Sequence, residues 1–282
     1  MAKGVKSKKN TKRISPLIKT IQAIKRHKLI FLMIIITQIL FSSLLLYSHY
    51  KIQIPILTDG KDIIVGVQEN MQTQSNPAGD YNVMRDSITS IVGIQSLVDR
   101  LIKNLIYLCG ISFALWIILN GLNWFFTINM HKKKKLHNFC LRFTLTSIIY
   151  LVPMTLALWW FMSSSVKTYL FGTARTAPAI GSAVIILIFA YFFYITLSLL
   201  HKDSFKEIIK LTFKIGIKKI GRVLATYIPI IILYIALFLT MYHSLEANIY
   251  LIYLEIIAFL FLIILSRSYI YFSINNIEKE IK

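Results

Sequence analysis

Hydrophobic residues along this chain gather into long runs separated by polar stretches: Leu29–Tyr47, Leu105–Ile128, Phe143–Phe161, Ile180–Leu200, Val223–Met241 and Tyr250–Phe272. A helix rises about 1.5 Å per residue, so roughly 20 apolar residues cross a hydrocarbon core of about 30 Å. An isolated strand in lipid would leave its backbone N–H and C=O groups unpaired, so each run is expected to be a helix. Pro153 interrupts the third run, which a membrane helix tolerates when its neighbours satisfy the freed carbonyl. The pattern predicts an all-α, polytopic integral membrane protein with about six transmembrane helices.

The polar stretches alternate in charge. The first 28 residues hold ten Lys/Arg and no acid, residues 129–142 hold five, and residues 201–222 hold seven. The alternate set is poorer: residues 51–103 carry five Lys/Arg against six Asp/Glu, residues 163–178 carry two, and residues 242–249 none. Lys and Arg accumulate in cytoplasmic loops, so both termini are expected in the cytoplasm of a cell-membrane protein. The whole chain of 282 residues has 32 Lys/Arg, 12 Asp/Glu and a formal net charge of +20. Much of that excess is accounted for by topology, before any footprint on nucleic acid needs to be invoked. The first apolar run exceeds the ~7–15 residues of a signal-peptide core and no small-x-small pattern closes it, so an uncleaved signal anchor is expected.

Division by these features gives a basic cytoplasmic segment over 1–28, a first membrane helix over 29–49 and an extracytoplasmic amphipathic segment over 50–104. A five-helix membrane bundle over 105–273 and a cytoplasmic tail over 274–282 complete the chain. In the external segment "TDGKD" and "SNPAGD" are turn clusters, and "DIIVGV" reads as a short strand or a helical turn. From Tyr81 onward Met84, Ile88, Ile91, Val92, Val98 and Leu101 keep a helical period that leads into the second run.

Among the basic stretches, "HKDSFKEIIKLTFKIGIKKIGR" (201–222) is the most structured. Ser204 followed by Glu207 reads as a capping box that starts a helix. Lys206, Lys210, Lys214 and Lys218 form a charged stripe, while Phe205, Ile208, Ile209, Phe213, Ile217 and Ile220 form an apolar side. Base readout requires Arg, Asn or Gln at defined positions and stacking requires exposed aromatics, so nucleic acid is a disfavoured partner. Lysines over an apolar side suit a diffuse anionic surface, each contributing about 1 kcal/mol near anionic headgroups. Anionic lipid is the expected contact of this interfacial helix, and a partner protein remains open. "LIKTIQAIKRHK", introduced by Ser15 and Pro16, and "HKKKKLHNFCLRF" are further basic stretches flanking the spans.

A plan of basic stretch, outward span, external connection and inward span recurs, and spans three and five both carry Tyr and Pro: Tyr150 with Pro153, Tyr227 with Pro229. The recurrence is an internal repeat or the convergence any six-span chain would show. In residues 129–273 this pattern resembles the uncharacterised six-span helical membrane proteins of bacteria and archaea. It is also similar to the membrane-only part attached to some glycerophosphodiester phosphodiesterases. The resemblance implies a style of membrane protein and no reaction, since the chain has no separate domain for that enzyme's paired histidines and carboxylates.

Little else points to chemistry. Cys109 and Cys140 form no CxxC, so neither a disulfide framework nor a zinc site is indicated. Histidines 27, 49, 131, 137, 201 and 243 all fall near span ends, where an interfacial role explains them better than metal ligation. No phosphate loop, nucleophile elbow or acidic magnesium cluster occurs, so no enzyme, cofactor or metal is expected. Glu255 is the carboxylate well inside an apolar run, and three readings stay open: a working site, a tether to Lys167 or Arg175, or a side chain reaching the outer interface. Gln38, Asn120 and Asn123 read as interhelical hydrogen-bond partners, and Gly110-x-x-x-Ala114 and Ala177-x-x-x-Gly181 as close-packing surfaces. The expected role is non-catalytic: a scaffold, assembly factor or membrane-organising subunit. The competing expectation is a permease subunit that works with a separate ATPase, coupled through the 201–222 helix.

Overall fold

Each apolar run forms a helix in the computed structural model, which describes residues 15–74, 81–171, 176–244 and 249–281. In chain order the helices are α1 (Pro16–Arg26), α2 (Lys28–Gln74), α3 (Tyr81–Leu115), α4 (Gly121–Asn129), α5 (Leu136–Phe171), α6 (Thr176–Leu199), α7 (Phe205–Lys218), α8 (Ile220–Ser244) and α9 (Ile249–Ile281). A π-helical turn, Trp116–Asn120, joins α3 to α4. Among the described residues six stretches are long and apolar enough to cross a membrane: Lys28–Asp62, Asp99–Asn129, Leu136–Phe161, Ile180–Leu199, Ile220–Ser244 and Tyr250–Ile281. All six sequence-derived spans fall on them. The protein is a helical, multi-pass membrane protein.

Large apolar side chains face outward along these stretches. Trp159 is 65% exposed, Leu187 69% and Phe238 67%. Contiguous apolar surface of this kind is rare on a water-soluble monomer and is matched by lipid tails. Pro55, Pro153 and Pro229 all sit inside helices, so none of them ends a span.

Several local expectations are corrected. "TDGKD" forms no turn but lies within α2, which runs on to Gln74, and "DIIVGV" takes the helical of its two readings in the same helix. One interior glycine costs a helix only about 1 kcal/mol, and α3 packs beside Gly60, where an added Cβ would lie 3.9 Å from Leu101. Residues 274–282 were expected as a tail, yet α9 continues to Ile281 and buries Ile274, Ile277 and Glu278. Ser204 and Ser15 occupy the N-cap positions of α7 and α1, but neither side chain makes a capping hydrogen bond. The 75–80 turn cluster and the side chains of Met84, Ile88, Ile91, Val92 and Val98 lie outside the described residues.

The chain divides into two units, Thr37–Asn120 and the residues on either side of that stretch. In the first, α2 and α3 run side by side. Arg100 pairs with the buried Asp59 at 3.7 Å, the Ser112 hydroxyl lies 3.5 Å from His49 Nε2, and Phe41 meets Trp116 edge-on at 6.3 Å. Gly110, read as a close-packing residue, has nothing within 4 Å of an added Cβ.

In the second unit α5 packs on α6, α8 on α9, and α7 against α6, α8 and α9. Polar groups join α5, α6 and α7 at one point. The buried Thr196 hydroxyl lies 2.9 Å from the Tyr150 hydroxyl and 3.1 Å from that of Thr212. Tyr227 of α8 donates to the Tyr191 carbonyl at 3.3 Å, so the tyrosines of both Tyr/Pro pairs bind α6. Gly181 does pack closely, since its Cβ would lie 3.4 Å from the Trp160 ring.

Gly216 is the tightest contact of α7. Its carbonyl accepts from the Tyr191 hydroxyl at 2.8 Å, and an added Cβ would lie 2.4 Å from Phe192 Cε1. That ring cannot simply swing aside, because Tyr191 and Phe213 both lie 5.1 Å from it, centroid to centroid. Gly216→Ala is therefore expected to cost about 1–3 kcal/mol through overpacking. Gly221→Ala, with nothing within 4 Å of its Cβ, is expected to be neutral or to gain up to about 1 kcal/mol. Thermal unfolding of both variants in detergent checks this, and an unchanged midpoint for Gly216→Ala would contradict the close contact.

Candidate functional site

The chain's basic stretches converge. Lys19 of α1, His131 and Lys132 after α4, His201 and Lys202 before α7, and Tyr271, Asn275, Asn276, Glu278 and Lys279 of α9 line one cavity of about 410 Å³. The N-terminal helix, the two Lys-rich loops and the last turns of α9 therefore meet around a single space. Topology alone explains why these stretches share a side; it does not explain why they enclose a cavity.

The end of α9 holds this arrangement together. Lys19 Nζ donates to Asn276 Oδ1 at 2.8 Å, and Lys202 donates to Glu278 Oε1. Arg222 pairs with Glu280, and Lys214 Nζ reaches the Ile281 carbonyl at 3.5 Å. Four cations from α1, the α6–α7 loop, α7 and α8 thus hold the C-terminal turns of one helix. That is the end at which the backbone dipole is negative and cations are favoured. Glu278 is 4% exposed, and a buried carboxylate left unpaired would be costly, so its Lys202 partner fixes the loop before α7. Arg142 donates to the carbonyls of Lys202 and Asp203, and Lys134 pairs with Asp203, which ties the α4–α5 connection to the same loop.

Two histidines that looked independent in the sequence share one tyrosine. The His131 ring stacks on Tyr271 with centroids 5.1 Å apart and meets Phe272 at 4.1 Å, while His201 approaches Tyr271 at 5.8 Å. His201 Nδ1 lies 3.1 Å from the Ser198 carbonyl, so it donates there, and Nε2 faces Glu278 Oε2 at 3.9 Å. Burial first, then His27, pushes His131 down to about 4. Burial first, then Lys132, pushes His201 to about 4, against the opposing pull of the Ser198 carbonyl and Glu278. Both are neutral near pH 7. Among the described residues no group of His, Cys, Asp and Glu is arranged to hold a metal ion.

The stripe on α7 divides in the structure. Successive fourth residues drift by about 40° around a helix, so four lysines spiral rather than align. Lys206, Lys210 and Lys218 are exposed, whereas Lys214 is half-buried against the end of α9. The apolar side splits too. Ile208 joins Leu211, Thr212 and Ile215 on the face buried in the bundle, while Phe213, Ile217 and Ile220 are exposed beside the outer lysines.

Glu255 is 6% exposed, packed against the last residue of α8. Ser244 of α8 donates to its Oε1 at 2.8 Å, and its Oε2 has no hydrogen-bond partner among the described residues. Arg175 and the Lys167 side chain lie outside the described residues. Gln38 donates to Ser42 one turn along its own helix at 3.3 Å, and Asn120 Oδ1 is buried without a hydrogen-bond partner among the described residues. The sequence reading overlooked Arg267, 7% exposed inside the last span and interacting electrostatically with Tyr194 and Tyr234. An arginine within an apolar run was the available signal.

No known protein family, curated protein or solved structure matches the chain.

An unfolded histidine takes a proton near pH 6.5, whereas folded His131 and His201 resist it until about 4. Between these values the unfolded chain binds more protons, so stability is lost as pH falls through that window. His131→Phe keeps the contacts with Tyr271 and Phe272 and removes a buried Nε2 that has no hydrogen-bond partner among the described residues. The variant is expected to lose stability over this window with about half the slope of the wild type, since His201 remains. Unfolding midpoints in detergent across the window check it; identical slopes would contradict the burial of a neutral His131.

Proposed function

We propose that this protein is a non-catalytic organising subunit of the cell membrane that binds anionic lipid through the outer face of α7. One observation carries the reading. α7 buries Ile208, Leu211, Thr212 and Ile215 in the bundle and presents Lys206, Lys210 and Lys218 together with Phe213 and Ile217 on its outer side. Ammonium groups flanking apolar side chains match a headgroup layer, with the apolar residues entering the acyl boundary and the lysines meeting phosphates. Lysine is a strongly hydrated point charge without a directional fork, which suits a fluid anionic surface better than one fixed ligand. The basic end lies in the cytoplasm under this proposal, where the leaflet is negatively charged.

A second reading, a permease subunit served by a separate ATPase, draws on Arg267 buried in the last span and on α7 as a short helix between two spans. One set of variants separates the two. In reconstituted membranes, spin-labelled anionic lipid should associate with the wild type several-fold more than zwitterionic lipid. Lys206→Gln, Lys210→Gln and Lys218→Gln together should remove most of that preference, as should high salt. Equal association of both lipids with the wild type would overturn the lipid reading. An ATPase that co-purifies with the wild type and is lost from the triple variant would favour the permease.

A further inference from the structure

The cavity at the end of α9 has a charge pattern that neither topology nor the lipid-binding face of α7 explains. Lys19, Lys132, Lys202 and Lys279 line it with one carboxylate, Glu278, and that carboxylate is already engaged by Lys202. Among the described residues Lys132 and Lys279 form no ion pair. Lys19 is held by Asn276, and Asn275 Nδ2 donates to the Tyr271 carbonyl at 2.8 Å, so the two asparagines and the α9 backbone form a fixed wall. The volume of about 410 Å³ falls within the usual range of small-ligand sites, roughly 300–1,000 Å³.

We propose that this cavity is a binding site for a phosphoryl anion, with the Lys132 and Lys279 ammonium groups meeting its oxygens and Lys19 and Lys202 framing it. Like charges drawn together without compensation repel, and a bound dianion turns that repulsion into attraction. Charge-assisted hydrogen bonds from ammonium to phosphate oxygen are among the stronger polar contacts. The field at Lys132 agrees: burial, then Lys202, Lys134 and Lys279, hold it below its ordinary range, and Glu278 only partly offsets them. Lys19 is depressed by burial and by Lys279. The neutral histidines add no charge, and Tyr271 and Phe272 contribute aromatic lining.

The anion is either the phosphate monoester of a lipid headgroup or a free phosphate from the aqueous side, and the chemistry of recognition is the same. The test uses the full-length protein in discs of zwitterionic lipid. Inorganic phosphate and a phosphatidic acid are titrated separately, with affinity read by calorimetry and native mass spectrometry. Saturable binding of phosphate alone assigns the free anion; binding of phosphatidic acid alone assigns the headgroup. In either case Lys132→Gln with Lys279→Gln should weaken binding about a hundredfold. Both lysines are exposed, so glutamine is accommodated without disturbing the fold. The variant lacking Lys206, Lys210 and Lys218 should retain the site, which separates this outcome from that of the α7 surface. Binding of neither probe, or binding that the double variant leaves unchanged, overturns the proposal.

Discussion

Backbone that crosses hydrocarbon must satisfy its own N–H and C=O groups, and this constraint governs the rest of the structure. It makes every crossing a helix, including stretches whose local sequence suggests otherwise. Pro153 and Pro229 stay inside helices. It also confines connections, and with them most of the charge, to the ends. Once the ends hold the charge, the arrangement there depends on how few acids face many lysines.

That scarcity gives the last turns of α9 their importance. Asn276, Glu278, Glu280 and the Ile281 carbonyl each receive a cation from a different part of the chain. Exposed ion pairs contribute little, but Glu278 is buried, so its ion pair with Lys202 weighs more than those at the surface. The same contacts position the loop before α7, and α7 is then set by Ile208, Ile215 and the Thr196–Thr212 contact. The outer face of α7 and the lysine-lined cavity both follow from how α9 ends.

The spans were legible because length and hydropathy are one-dimensional properties: each expected run falls on a candidate span, but the bounds were not legible, and Lys28–Asp62 and Tyr250–Ile281 extend furthest beyond them. The periodicity of α7 was legible as well, but not which side would be buried. Lysines at every fourth position look like one stripe in sequence, and only the packed structure separates Lys214 from the other three. The cavity was hidden for a different reason. His131 and His201 are 70 positions apart and meet only through Tyr271, and "INNIEKEIK" has the composition of a solvated tail. The turn signal in "TDGKD" misled because turn propensity is judged against water, whereas α3 lies beside this part of α2. Arg267 carried a signal that apolar averaging over its span concealed.

Six crossings would place the Lys-rich connections on one aqueous side of the membrane. Single cysteines at 61, 133, 210 and 233, in a background with Cys109→Ser and Cys140→Ser, can be reacted with a membrane-impermeant maleimide before and after cell lysis. The exposed lysines at 61, 133 and 210 make each site reachable from water, and Leu233 is 54% exposed on an apolar span. Labelling is expected at 61 in intact cells, at 133 and 210 only after lysis, and at 233 in neither case. Labelling of 210 in intact cells, or of 233 in unsolubilised membranes, would contradict this topology.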